Sequence, residues 1–208
     1  MDLETVRQTY AAWARHYDAI HAWTLPYRRK ARLVLGVHSG DRVLDLACGT
    51  GLNLRHLHDL VGEEGRVTGV DLSPEMLAIA EDRVLRHRWA NVELHEADAA
   101  RLPFENESFD RVICTFALNI VPDCRSAVAE VRRVMAASGR FVALEVGLET
   151  CLGAGLRPQL LKKWVDRVGG TCAVDLDRNT LSILQTAFGG LEVRRYFFGL
   201  FYLAVGRT

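Results

Sequence analysis

The sequence predicts an α/β fold of the Rossmann-like kind: a seven-stranded, mostly parallel sheet with helices on both faces and a C-terminal antiparallel hairpin. Three observations predict it. Short β-branched runs alternate with longer segments of helical period, as parallel strands joined by crossover helices require. A glycine-rich stretch, DLACGTGLN (Asp45 to Asn53), follows the first of these runs and opens onto a helix-like segment, the place where open sheets of this kind bind ligands. Two last apolar runs are separated only by a turn near Gly199, and a parallel crossover needs about a dozen residues, so they pair antiparallel.

The elements follow in order. Val6, Tyr10, Trp13, Tyr17 and Ile20 recur at steps of four and three, the stripe of one amphipathic helix that would cap the sheet edge and close the site. Strands are expected at RVLDLA (42–47), RVTGVD (66–71), NVELHEA (91–97), FDRVICTF (109–116) and GRFVALEV (139–146). Between them LNLRHLHDLV, PEMLAIAEDRVLRHR and DCRSAVAEVRRVMA read as helices; Ser73 before Pro74 is an N-cap signal, and Asp123 can cap the last. After Val146 the pattern loosens, then a helix from about Asp177 to Phe188 leads to LEVRRYFFGLFYLAVGRT. The chain thus divides, within a single domain, into a helical lid (1–36), a core that holds the glycine turn (37–147), and an insertion with the closing hairpin (148–208).

Half of the 208 residues are apolar, enough for one core, and 26 basic side chains balance 26 acidic ones. No whole-chain field favours nucleic acid. The five cysteines are odd in number and lack CxxC spacing, which suits reduced thiols in a cytoplasm. No stretch approaches the roughly 18 apolar residues of a membrane span. A soluble cytoplasmic chain without a metal site is expected.

A dinucleotide fingerprint would need a third glycine where Leu54 stands, and no GxxxxGK[ST] loop is present. Asp45, on the strand side of the turn, would repel a phosphate but suit an ammonium group. Asp71 ends the next strand, 20 residues past Gly51, where an acid can accept ribose hydroxyls, and Asp98 ends the third, where it can accept from an adenine amine. S-adenosylmethionine, with an amino group, a ribose and an adenine but no phosphate, fits this set.

Five segments, HYDAI, VLDLACGTG, VTGVDLSPEMLAIAEDR, EADAARLPFENESFDRVIC and AVAEVRRVM, together resemble the class I S-adenosylmethionine-dependent methyltransferases. They resemble in particular the group of ubiquinone and menaquinone methyltransferases. The resemblance runs from about Tyr10 to Gly147 plus the hairpin. It implies that Asp45, Ala47, Gly49 and Gly51 surround the methionine part of the cofactor, with Asp71 on the ribose. It also implies that Leu72 and Met76 flank the adenine, that Asp98 and Ala99 read its edge, and that Thr115 and Phe116 form the floor under the sulfonium. S-adenosylhomocysteine would be the product.

Some positions depart from the pattern. Ala47 replaces a common glycine, Ala137-Ser138-Gly139 replaces the usual proline-glycine turn, and Asn119 and Ile120 stand where the quinone enzymes carry arginine and asparagine. Residues 1–40 hold six basic against three acidic side chains, and YRRKAR (Tyr27 to Arg32) lies beside Trp23. A solvated helix face is one reading; contact of residues 20–32 with an anionic membrane surface is another. YAAWARHYDAI with this basic stretch is similar to bacterial phosphatidylethanolamine N-methyltransferases, and GGTCAVDLDRNTL (169–181) to thiol methyltransferases.

The expected activity is methyl transfer to a small or amphiphilic acceptor, a lipid amine ahead of thiols, phenols and quinones. The sulfonium is already activated, so alignment and exclusion of water are the protein's chief tasks. The resemblance places Tyr17, His16, His21 and the surroundings of Asn119 near the cofactor's mouth, as candidates for handling an acceptor proton, with Tyr17 also a cofactor contact. The rivals are a nucleic-acid methyltransferase, disfavoured by the balanced charge and by FALNIVPD in place of an NPPY-type segment, and a catalytically silent cofactor-binding regulator.

Overall fold

The computed structural model describes residues 2–147 and 179–207. Seven strands form one sheet: β1 (Arg42–Leu46), β2 (Arg66–Asp71), β3 (Val92–Glu96), β4 (Phe109–Thr115), β5 (Met135–Val146), β6 (Glu192–Tyr196) and β7 (Phe201–Arg207). Their order is β3-β2-β1-β4-β5-β7-β6. β7 is antiparallel to both its neighbours, while β1 to β5 pair in parallel. The sheet is therefore of the expected class.

Alternation of side chains decides the two cores. Leu44, Leu46, Val112, Cys114, Phe141 and Ala143 face one side, under α6 (Cys124–Val134) and α7 (Thr180–Phe188). Val43, Val67, Ile113, Val142 and Leu144 face the other, under α3 (Leu25–Leu35) and α4 (Leu54–Val61). Strands buried on both faces read as continuous apolar runs rather than alternating ones. The helix α5 (Pro74–His87) starts at its expected cap, with Ser73 Oγ accepting from Met76 N at 3.3 Å, and Asp123 caps α6 through Ser126 N at 3.0 Å.

Two expectations change. The N-terminal stripe is not one helix but α1 (Leu3–Trp13) and α2 (Tyr17–His21), with 3₁₀ turns at Ala14–His16 and Ala22–Thr24 before α3. At the second of these turns side chains compete for the backbone: His21 Nδ1 meets Tyr17 O at 2.9 Å, and the Thr24 hydroxyl donates to His21 O at 2.7 Å. Pro26, which cannot donate or sit in a helix interior, fixes the restart at α3. The turn expected at Ala137-Ser138-Gly139 is instead absorbed into β5, which begins at Met135 with a register irregularity against β4.

The basic cluster is also divided. Arg28 and Arg32 are 3% and 5% exposed and share the inward stripe of α3 with Ala31 and Leu35, while Arg29 and Lys30 stay at the surface. Among the described residues, no helix is long and apolar enough to cross a membrane. Cys48 and Cys114 are buried free thiols and Cys124 is buried; Cys151 and Cys172, with most of 169–181, lie outside the described residues.

Candidate active site

The chain winds from β1 outward to β3 and then returns to place β4 on the other side of β1. That reversal opens a crevice at the carboxyl ends of β1 and β4. The glycine turn enters it with left-handed backbone at Ala47 (φ 52°), Gly49 (φ 58°) and Gly51 (φ 83°). A Cβ on Gly49 would meet nothing within 4 Å, so its backbone faces open space on the cleft wall. A Cβ on Gly51 would lie 2.6 Å from Leu54 Cδ1, so that glycine packs the turn onto α4 instead.

Asp71 braces this turn from β2. Its Oδ2 accepts from Gly49 N at 2.7 Å and its Oδ1 from Ser73 N at 2.9 Å, so one carboxylate joins the glycine turn to the N-cap of α5. Burial raises its pKa, and those two N–H groups oppose the rise. Each oxygen keeps a further acceptor position for a ligand hydroxyl. Leu72 and Met76 extend this wall. Asp98 and Ala99 form the far end, where Asp98 Oδ1 accepts from Ala100 N at 2.9 Å. Thr115 and Phe116 are the floor; Phe116 is a non-glycine residue at φ 60°.

Under the floor runs a buried polar chain. Arg32 Nη1 donates to Asn53 Oδ1 at 3.1 Å, and Asn53 Nδ2 lies 3.1 Å from both Asp45 Oδ1 and the Thr115 hydroxyl. Arg28 also donates to Thr115, and its guanidinium stands 5.2 Å from the Phe116 ring centroid. Asp45 Oδ2 is buried with no hydrogen-bond partner, and desolvation pushes its carboxyl up to about 6. A buried carboxylate oxygen without a donor calls for one from a ligand.

The N-terminal segment roofs the cleft. Leu3, Val6, Arg7 and Tyr10 of α1 and Tyr17 of α2 line it. Asp18 holds the segment down by accepting from the Thr50 hydroxyl at 2.6 Å and pairing with Arg83 of α5.

Residues 43–139 match the family described as "methyltransferase domain". The demethylmenaquinone methyltransferase of Alkalihalophilus pseudofirmus is 34% identical over 152 residues, 71% of this chain and 64% of the relative. That of Geobacillus kaustophilus is 34% identical over 155 residues, 72% and 66% of the respective chains. The chain belongs to the class I S-adenosylmethionine-dependent methyltransferases. It spans just under two thirds of the length of these curated relatives.

Solved structures agree on the fold. An S-adenosylmethionine-dependent methyltransferase from Aquifex aeolicus superposes with TM-score 0.66 at 19% identity, covering 99% of this chain and 98% of that one. Phosphoethanolamine N-methyltransferase 2 of Haemonchus contortus, bound to S-adenosylhomocysteine, gives 0.70 at 23% identity over 88% of this chain and 43% of its own. At such identities the likeness is of fold alone.

The cofactor of this methyltransferase family, S-adenosylmethionine, fits the residues present. An unpartnered carboxylate oxygen at Asp45 matches an ammonium, the space over Gly49 admits a ligand against bare backbone, and Asp71 offers acceptors for two hydroxyls. Among the described residues no group of His, Cys, Asp and Glu could hold a metal.

Of the expected site residues, Tyr17, Ala47, Gly49, Asp71, Leu72, Met76, Asp98, Ala99, Thr115 and Phe116 share the cleft wall. Asp45 lies beneath it and Gly51 beside it. Two of the three expected catalytic side chains stand off the wall. Asn119 is 4% exposed and its amide is committed, Nδ2 donating to Val146 O at 2.6 Å and Oδ1 accepting from Thr180. His21 stacks behind Tyr17 at 4.0 Å between centroids, and desolvation lowers its pKa. His16 is exposed.

Sequence reasoning missed Arg28, Arg32, Asn53 and Glu145. The arginines carried a signal, since 28, 31, 32 and 35 form one helical stripe with Ala31 and Leu35. Glu145, 1% exposed at the end of β5, accepts from Ala117 N at 3.0 Å and Leu118 N at 2.9 Å and so shapes the loop after β4. Burial pushes its carboxyl up to about 7.

Proposed function

We propose that this chain transfers a methyl group from S-adenosylmethionine to a ring position of a quinol- or phenol-type acceptor. The observation that carries the choice of acceptor is the buried Arg28 guanidinium behind Thr115 and Phe116, which has no carboxylate within ion-pair distance among the described residues. A cationic donor beside a guanidinium favours a nucleophile that arrives anionic, such as an ionised quinol, over an amine that must leave as a cation. The relatives named demethylmenaquinone methyltransferase support the same reading. This reverses the order expected from the sequence, which put a lipid amine first.

In this reading Ala47 and Gly49 hold the methionine part, with the Asp45 carboxylate on its ammonium, while Gly51 keeps the turn packed on α4. Asp71 takes the ribose hydroxyls, Leu72 and Met76 sandwich the adenine, and Asp98 and Ala99 meet its edge. Tyr17, whose hydroxyl burial keeps protonated, closes over the reacting end. Residues 1–36 serve as a lid, 37–147 as the cofactor core and 148–208 as the acceptor side. Exclusion of water and in-line alignment then supply the rate.

Methyl-labelled S-adenosylmethionine offered with demethylmenaquinol or with phosphatidylethanolamine vesicles tests this. Label should enter the quinol and not the lipid amine. Label in the amine alone restores the lipid reading, and cofactor binding without transfer to either leaves a silent cofactor-binding regulator.

A further inference from the structure

Thr115 ends β4, is 4% exposed, and lines the cleft floor. Two side chains reach its hydroxyl from below: Arg28 Nη1, and Asn53 Nδ2 at 3.1 Å. A guanidinium can only donate. The orientation of the Asn53 amide is settled by its neighbours, because Arg32 Nη1 meets Oδ1 at 3.1 Å and Asp45 Oδ1 meets Nδ2 at 3.1 Å. Turned over, that amide would set N–H against a guanidinium and C=O against a carboxylate.

The Thr115 hydroxyl therefore accepts twice. A hydroxyl has two lone pairs and one proton, so its proton is what remains. No described residue accepts that proton. We propose that Thr115 is a fixed hydrogen-bond donor, aimed by Arg28 and Asn53, for a negatively charged oxygen of a bound ligand. The inference rests on reading the cleft as an S-adenosylmethionine site.

Two ligand oxygens share this chemistry: the α-carboxylate of the cofactor's methionine part, and the ionised ring oxygen of a quinol or phenol acceptor. Both gain from a donor backed by a buried guanidinium, and a cation gains nothing. A Thr115→Val change keeps shape and removes the donor, whereas Thr115→Ser keeps it.

Calorimetry on the full chain compares wild type with both variants, using S-adenosylhomocysteine and 5′-methylthioadenosine, which lacks the amino-acid end. A third titration uses 4-nitrophenol on protein saturated with S-adenosylhomocysteine, where absorbance reports the phenolate. Thr115→Val should weaken one anionic probe roughly ten- to hundredfold, with Thr115→Ser near wild type and 5′-methylthioadenosine unchanged. Loss on S-adenosylhomocysteine assigns the carboxylate; loss on 4-nitrophenolate assigns the acceptor oxygen. If Thr115→Val binds both probes as wild type does, the donor role is wrong while the cofactor site stands. If wild type binds neither adenosine compound, the cofactor reading falls as well. Should Thr115→Val not fold, Thr115→Ala poses the same question.

Discussion

The Thr50 hydroxyl donates to Asp18 Oδ1 at 2.6 Å, joining the glycine turn to a residue of the N-terminal roof 32 positions earlier. The other Asp18 oxygen pairs with Arg83 on α5. One carboxylate thus ties the roof to both elements beneath it, and its release should open the roof without unfolding the sheet.

Asp18→Ala is expected to speed amide exchange over residues 1–24 and weaken S-adenosylhomocysteine binding several-fold. The melting temperature should change little, because the ion-pair side chains are 25% and 41% exposed and such pairs contribute about 0–1 kcal/mol. Unchanged exchange in the roof would show that the apolar contacts of α1 suffice to hold it.

Asp71 acts on two backbone donors at once, Gly49 N and Ser73 N. Asp71→Asn would turn an amide donor toward one of them. A loss of about 1–3 kcal/mol in both cofactor binding and stability is expected, read by calorimetry and denaturant unfolding. Intact affinity would remove Asp71 from the ribose site.

Glu145 gives a pH signature. Burial raises its carboxyl to about 7 in the folded chain from the ordinary glutamate value of 4.5, so the folded state holds its proton more tightly than the unfolded state does. That contribution to stability is complete below pH 4.5 and is lost as pH rises through about 7. The full swing is roughly 3 kcal/mol. Glu145→Gln, which can still accept from Ala117 N and Leu118 N, should flatten the decline between those limits, measured as unfolding free energy against pH. A slope identical to wild type would assign the titration elsewhere.

Ala47 adopts φ 52°, where a Cβ is costly. Ala47→Gly relieves that strain at some cost in unfolded-chain entropy. A net stabilisation of up to about 1 kcal/mol is expected by thermal unfolding, with cofactor affinity retained. Destabilisation would show that the Ala47 methyl packs against the cleft wall strongly enough to outweigh the strain.

Much of this was legible in the chain. Strands β1 to β4 lie within one or two residues of their expected limits, because their apolar runs and capping residues are local signals. Asp71 announced itself by ending a strand beside a glycine turn, and Asp98 by its place after the third apolar run, although it stands two residues past the end of β3. The N-terminal stripe misled because an apolar period does not distinguish one continuous α-helix from helical turns interrupted by the 3₁₀ turn at Ala14–His16. Asn119 misled because nothing local shows that Val146 and Thr180, one of them 61 positions away, claim its amide.

The sequence by itself determined the sheet, the turn and the family, since each rests on residues adjacent in the chain and on periods of two and 3.6. Tertiary structure alone decided which charges go inside. Arg28 and Arg29 are neighbours in sequence, yet one reaches Thr115 beneath the cleft and the other faces solvent. Direction around a helix axis changes by about 100° per residue, and only the packing of α3 on the sheet sets which direction is inward.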